Sequence, residues 1–315
     1  MERFGYYPGC CLKTTAREYE DSLLKVCAAL GLELVELEDW NCCAPVPFYD
    51  GNGTLAAGLA ARNLALAART GRDLVVPCPG CYRRLRETAL DLDRNGALRG
   101  AVERLLDPAP GAPVAVRSAV EVLWREGGDR IAALLRRPLT GLKVACYRGC
   151  RLSRPVRIAA FPGGNHAAAL EALVAATGAE PVRWPGAAEC CGAVLGSTRP
   201  ELVRGLVERL LAAAQRAGAE VLVTACPVCL ANMEWRRGRA WQGTLPVLYF
   251  TELLGLGLGI TRAREWLRGH LVDPGPVLGP YLPPPVRNGQ PLRTRPAPGS
   301  PRAQRNNAAG RPGPG

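Results

Sequence analysis

The sequence predicts an α/β fold: two tandem βα modules of similar plan with parallel-sheet cores, then a disordered C-terminal tail. Three observations carry that expectation. One cysteine pattern occurs twice, as Cys10, Cys42-Cys43 and Cys78-x-x-Cys81 and again as Cys150, Cys190-Cys191 and Cys226-x-x-Cys229, with 34 residues between vicinal pair and CxxC in both copies. Glycine helix stops repeat with the cysteines: Gly31 and Gly178 lie 11 and 12 residues before their vicinal pairs, and Gly71 and Gly218 lie 7 and 8 before their CxxC. Composition then changes at Asp273, after which 43 residues hold 12 Pro and 7 Gly with hardly any aliphatic periodicity. The expected boundaries are 1–138, 139–272 and 273–315.

In the first module, residues 4–7 read as a strand delivering Pro8-Gly9-Cys10. A helix is expected over 16–30, where Leu23, Leu24, Cys27 and Leu30 fall at helical spacing. Residues 32–37 alternate apolar and acidic side chains, as a half-buried strand does, and lead to Trp40-Asn41-Cys42-Cys43. A helix over 55–69 precedes the buried strand 74–76, and the CxxC follows, ahead of a charged helix beginning near Tyr82. The second module repeats this order. Strand 142–145 runs into Cys146-Tyr147-Arg148-Gly149-Cys150, and helix 166–177 and strand 181–184 lead to Glu189-Cys190-Cys191-Gly192. Helix 201–217 and strand 221–224 then deliver Cys226. Later segments match as well: Pro113-Val114 stands ahead of Glu121 as Pro246-Val247 stands ahead of Glu252.

At 315 residues, 48% hydrophobic and 22% charged, the chain suits two soluble domains of ordinary size, each with its own core. The net charge is +12, of which the tail supplies +5 (six Arg, one Asp). No basic stripe interleaved with aromatics and no zinc-finger histidine pair accompanies it, which argues against a nucleic-acid partner. No secretory leader is expected before the first strand. The most apolar stretch, 247–260, is broken by Thr251 and Glu252 and is too short to cross a bilayer. Thirteen cysteines in such a chain point to metal rather than disulfides, and to a reducing cytoplasm.

Cysteines at the carboxyl ends of parallel strands converge, so five sulfurs can meet in each copy. A CxxC at a helix start sets a thiolate against backbone N–H groups, which lowers its pKa and favours ligation. Thioredoxin-like redox use needs one CxxC and leaves the vicinal pairs unexplained. Structural zinc takes four ligands, and a cubane cluster takes four cysteines, so the fifth is left over. Inert burial suits Cys27, on an apolar helix face, but not ten cysteines in register. A soft five-sulfur site favours an iron–sulfur cluster larger or less symmetric than a cubane, with zinc in the second site as the minor alternative.

This arrangement resembles the cysteine-rich CCG motif of the heterodisulfide reductase B-subunit family, over about residues 4–260. Flanking residues agree: Tyr7-Pro8-Gly9-Cys10, Asp39-Trp40-Asn41-Cys42-Cys43, Val76-Pro77-Cys78-Pro79-Gly80-Cys81-Tyr82, Glu189-Cys190-Cys191-Gly192-Ala193 and Pro246-Val247-Leu248-Tyr249-Phe250-Thr251. The resemblance implies one noncubane [4Fe-4S] cluster on Cys10, Cys42, Cys43, Cys78 and Cys81, and a second on Cys150, Cys190, Cys191, Cys226 and Cys229. It implies that a small disulfide is cleaved or formed between them, one sulfur to each cluster, with no separate catalytic side chain. Partners follow from it too: a ferredoxin-like iron–sulfur subunit and a flavin-containing subunit. The chain itself has no nucleotide-binding glycine motif and no ferredoxin-type cysteine run, so electrons come from another polypeptide. The expected location is cytoplasmic, with any membrane association made through partners.

Within the family, the alternative is the related subunit of an unusual succinate dehydrogenase, passing electrons to quinone. Outside it stands a non-catalytic electron-transfer or zinc-stabilised subunit. Cys146 competes with Cys150 for one ligand place; the 39-residue gap from Cys150 to Cys190 lies within the motif's range and the 43-residue gap from Cys146 does not. Cys10 is preferred to Cys11 for the matching place. The 34-residue gap is slightly short in both copies, and Ala44 stands where the motif carries glycine, which puts the turn of the first loop in question. The 161–166 linker also departs from the family, which bears on the substrate pocket. His166 and His270 are the two histidines, and His166 reads as an exposed loop residue rather than a general acid.

Overall fold

Short runs of buried aliphatic residues become strands, and amphipathic helices cross over between them. The computed structural model describes residues 1–45, 53–104, 106, 113–238 and 244–283. The first repeat runs β1 (Glu2–Tyr6), α1 (Gly9–Lys13), α2 (Arg17–Ala29), β2 (Leu32–Glu36), α3 (Gly53–Thr70), β3 (Leu74–Val76), α4 (Pro79–Arg94), α5 (Gly96–Glu103), β4 (Val116–Ser118) and α6 (Ala119–Leu134). The second runs β5 (Lys143–Tyr147), α7 (Val156–Ala159), α8 (His166–Ala175), β6 (Glu180–Val182), α9 (Pro200–Arg216), β7 (Val221–Thr224), α10 (Pro227–Trp235), β8 (Val247–Tyr249) and α11 (Phe250–Gly257). Two short helices follow, α12 (Ala263–Leu267) and α13 (Gly275–Leu278).

Among the described residues the strands form two four-stranded sheets of the same order, β2-β1-β3-β4 and β6-β5-β7-β8, parallel throughout. In the first, Phe4 pairs with Leu34 and Val75 with Arg117; in the second, Val144 pairs with Pro181 and Tyr147 with Thr224. Parallel pairing puts every strand's carboxyl end on one edge. Loops leaving β1, β2 and β3 therefore carry the first five cysteines, and those leaving β5, β6 and β7 carry the second five.

The two repeats share one continuous core rather than holding one each. The physical reason is helix α11. All its residues are buried, so this mostly apolar helix is covered on every side, its Thr251 and Glu252 finding polar partners there. It packs against α2 of the first repeat and α8 of the second, while α6 packs against α8. Leu253, Leu254 and Leu256 are at most 1% exposed, each such side chain contributing ~1.5–3 kcal/mol. Ser22 of α2 and Thr251 of α11 hydrogen-bond within this layer, their hydroxyls 2.6 Å apart.

The start of the expected tail needs correction. Residues 273–283 pack on the body: Leu278 is fully buried, the Tyr281 hydroxyl donates to Thr140 O, and Arg264 Nε donates to Pro283 O. The rest of that expected segment, 284–315, lies outside the described residues. No helix among the described residues is long and apolar enough to cross a membrane, and the apolar stretch 247–260 is accounted for by β8 and the buried α11.

Candidate metal centre

The loops are held to the sheets by a polar contact that recurs in both repeats. Tyr7 and Tyr147 each precede their first cysteine by three residues, at the carboxyl end of β1 and of its counterpart β5. The Tyr7 hydroxyl donates to Asn41 O at 2.8 Å, and the Tyr147 hydroxyl donates to Glu189 O at 2.8 Å. Each thereby fixes the backbone just ahead of its vicinal cysteines. Asn63 Nδ2 adds a second donor to Asn41 O, and Asn232 Nδ2 donates to Cys191 O at 2.7 Å. Between Tyr7 and Cys10 lies Gly9, with φ +72°, where an added Cβ would stand 3.1 Å from Cys81 Sγ. Glycine there lets the backbone approach the thiols.

Each CxxC opens a helix. Cys78 is the N-cap of α4 and Cys226 the N-cap of α10, and proline follows each at the first helical position, where its missing N–H costs nothing. The N–H of Cys229 donates to Cys226 Sγ at 3.4 Å, and that of Gly192 to Cys190 Sγ at 3.3 Å. Across the loops, Cys43 and Cys81 sulfurs lie 3.1 Å apart, and Cys191 and Cys229 sulfurs 3.5 Å apart.

Those contacts sort the thiols into thiolates and their donors. Hydrogen bonds from Cys42 and Cys81 pull Cys43 down to about 4. Cys11 does the same for Cys10, and Cys150 for Cys190, each lowered to about 6. Cys229 lowers Cys191, and Cys81 lowers Cys78. The donating partners, Cys42, Cys81, Cys11, Cys150 and Cys229, are correspondingly raised. Thiolates held against N–H dipoles are soft ligands ready for metal.

All ten predicted ligands thus come to two loop edges. Cys150 joins Cys190 and Cys191, whereas Cys146 stays inside β5, raised by burial and facing Glu171 and Arg148 rather than the other thiols. Cys27 is buried in the core on α2, as expected. Cys11 is half-buried and feels Cys78 of its own repeat and Cys226 of the other, so the two sets lie near one another at that point. Among the described residues no three His, Cys, Asp or Glu side chains are drawn to one point as a single ion would require. The thiols instead run in linked contacts, Cys42 to Cys43 to Cys81 to Cys78 in the first repeat and Cys191 to Cys229 to Cys226 in the second, a soft sulfur donor set.

Two expectations change. Ala44, with φ +52°, takes the left-handed backbone conformation that Gly192, with φ +78°, takes at the matching position, without being glycine. His166 is no exposed loop residue: it opens α8 with 1% exposure, its Nε2 lies 2.8 Å from Ser118 Oγ, and its ring packs edge-on against Phe161 and Tyr82. Burial lowers it to about 4, so it is neutral. The clamping tyrosines are site residues that cysteine spacing alone does not name, although the repeated Tyr-x-Gly-Cys signals them.

The family model for the CCG cysteine-rich domain matches residues 4–86 and 144–234. The chain is 27% identical over 282 residues to the 8-methylmenaquinol:fumarate reductase membrane anchor subunit of Wolinella succinogenes, covering 87% of this chain and 98% of that one. It is 28% identical over 275 residues to the B subunit of the ferredoxin/F(420)H(2)-dependent CoB-CoM heterodisulfide reductase of Methanosarcina acetivorans, covering 83% and 91%. A protein of Archaeoglobus profundus named as like the heterodisulfide reductase B subunit is 28% identical over 277 residues, covering 82% and 91%. Among solved structures, a hypothetical protein from Helicobacter pylori superposes with a TM-score of 0.65 at 12% identity, covering 86% of this chain and 52% of that one, which shows a shared fold. With both cysteine sets inside the two matched segments, the chain belongs to the CCG cysteine-rich domain family, in two copies.

Proposed function

We propose that the chain is the iron–sulfur catalytic subunit of a heterodisulfide-reductase-type complex. The observation that carries the reading is the pair of five-thiol sets at matching strand ends, with sulfurs in contact and N–H groups aimed at them. Cys10, Cys42, Cys43, Cys78 and Cys81 would hold one four-iron noncubane cluster, and Cys150, Cys190, Cys191, Cys226 and Cys229 the other. Bound there, the clusters supply one-electron chemistry at sulfur. The chain's own part is to hold the vicinal loops through Tyr7 and Tyr147, to keep the thiolates deprotonated, and to set the two sets close together. Electrons come from partner subunits, one ferredoxin-like and one carrying flavin, and the substrate is a small disulfide.

A second reading follows from the Wolinella relative, named for menaquinol:fumarate reduction and matched over almost its whole length. There the same sets would pass electrons to or from a quinone. Anaerobic purification with iron and sulfide analysis, EPR, and turnover against a disulfide and a short-chain quinone tests both. Expected are about eight irons per chain, two four-iron clusters, and disulfide turnover. A protein holding zinc alone sinks both readings; quinone turnover without disulfide turnover replaces the first by the second.

A further inference from the structure

The two cysteine sets match in two of the properties by which a protein sets a cluster's reduction potential. For one cluster type those properties are solvent exposure, hydrogen bonds to the sulfurs and local charge. Each set has one exposed, one half-buried and three buried thiols. The N–H of Cys81 faces Cys78 as that of Cys229 faces Cys226, and the N–H of Ala44 faces Cys42 as that of Gly192 faces Cys190. The residues after the first cysteine break the match. Cys10 is followed by Cys11 and Thr14, and at the same places Cys150 is followed by Arg151 and Arg154.

Arg148, Arg151 and Arg154 share one loop that contains no acidic residue. The loop is fastened to the one carrying the vicinal pair. The N–H groups of Arg148 and Gly149 both donate to Ala187 O at 3.1 Å, and Arg154 Nη2 donates to Ala188 O at 3.1 Å, two residues before Cys190. Cys190 is lowered chiefly by Cys150, with Arg151 and Arg154 adding to it, and Arg151 also bears on Cys150. The carboxylates nearby have other cations. Glu189 faces Arg209 at 4.0 Å, and Glu171 meets Arg148 around Cys146. Glu234, five residues after Cys229, is met by Arg237 and by the charged His270, which stands between Glu234 and Glu252 at 3.0 and 3.1 Å. Among the described residues no carboxylate pairs with Arg151 or Arg154, so their charges are free to act on the thiols beside them.

We propose that Arg151 and Arg154 raise the reduction potential of the second centre, so that it takes up an electron more readily than its thiols alone would allow. One electron arrives from the donor subunit, which is oxidised by one electron, and the centre gains one negative charge; no bond forms or breaks and no proton moves. A cation beside the centre stabilises that added charge, and more strongly at the edge of a low-dielectric interior than in water. Arg151, half-buried next to Cys150, supplies the larger part. Arg154 is exposed and its part is screened by salt.

This rests on the iron–sulfur reading above, and its test separates the two. Anaerobic, cluster-loaded full-length protein is titrated with redox mediators and followed by EPR, the signal of the second centre being the one lost in Cys229→Ser. With Arg151→Gln and Arg154→Gln combined, that centre should favour its oxidised form about tenfold more, a fall of ~59 mV for one electron. With both arginines replaced by lysine the potential should stay where it was, because the charge is kept. The first centre should move less, and its signal reports that each variant is folded. Each single glutamine variant should show part of the fall, which carries the test where the double variant does not load its second centre. An unchanged potential in the glutamine variants, an equal fall in the lysine variant, or an equal shift of both centres overturns the role of the arginines alone. Absence of any cluster signal from the unaltered protein overturns the iron–sulfur reading and this role with it.

Discussion

Ala44 and Gly192 hold the same left-handed position, the residue after each vicinal cysteine pair, with φ of +52° and +78°. An L-residue there costs ~1–2 kcal/mol relative to glycine. Ala44→Gly should therefore leave stability unchanged or raise it by up to ~1 kcal/mol in chemical denaturation, glycine's extra chain entropy offsetting part of the relief. The reverse change is not symmetric: at Gly192 a new Cβ would stand 2.7 Å from Leu206 Cδ1, so Gly192→Ala should cost ~2 kcal/mol or more. Equal effects at the two sites would mean the loops are not equivalent.

The two candidates for one ligand place separate by spectroscopy. Cys150→Ser removes a thiol that faces Cys190, whereas Cys146→Ser alters a buried strand residue. Serine is near in size but a poor ligand for soft iron–sulfide centres. Cys150→Ser should disturb the EPR signal of the second centre and sharply reduce disulfide turnover, leaving the first centre intact. Cys146→Ser should preserve both signals; the opposite outcome would move the second repeat's register to Cys146.

Leu278 anchors the segment after α12. Leu278→Ala should cost ~2–5 kcal/mol, the range for a fully buried leucine, read as a lowered denaturation midpoint. A change under about 0.5 kcal/mol would show that this segment is not part of the folded body.

The two histidines bend the pH dependence of stability in opposite ways. His166 is lowered from 6.5 to about 4 by burial, so the unfolded chain binds the extra proton between those values. Stability is full above pH 6.5 and falls as pH drops toward 4. His270 is raised to about 10, so its contribution is full below 6.5 and is lost as pH rises through 10. Denaturant melts of His166→Asn and His270→Gln should each flatten one arm, the acid and the alkaline respectively. An unchanged acid arm in His166→Asn would assign that slope elsewhere.

Much of the site was legible because its determinants are local. Each glycine stop sits within a dozen residues of the cysteines that follow it, and Gly31, Gly71, Gly178 and Gly218 all stop their helices with positive φ. What could not be read depends on packing between distant segments. The burial of His166 is set by Ser118 and Tyr82, 48 and 84 positions back, and the His270 group joins residues 18 and 36 apart that share no periodicity. The Pro/Gly composition after Asp273 reads as structureless because one leucine and a few carbonyls, not an apolar stripe, hold residues 273–283 in place.

Helix α11 is buried by α2 of the opposite repeat, and α6 by α8, so the short link near 135–141 is not what keeps the halves together. The packing is reciprocal: the last helix of each repeat, α6 or α11, lies against the second helix of the other, α8 or α2. A chain nicked in that link should remain one particle by size exclusion, and two fragments co-expressed from the cut should reassemble. A half alone would present the leucines of its terminal helix to water and aggregate. Because the halves belong to one chain, equivalent places need not carry the same residue: Ala44 stands opposite Gly192, Cys11 opposite Arg151 and Arg86 opposite Glu234.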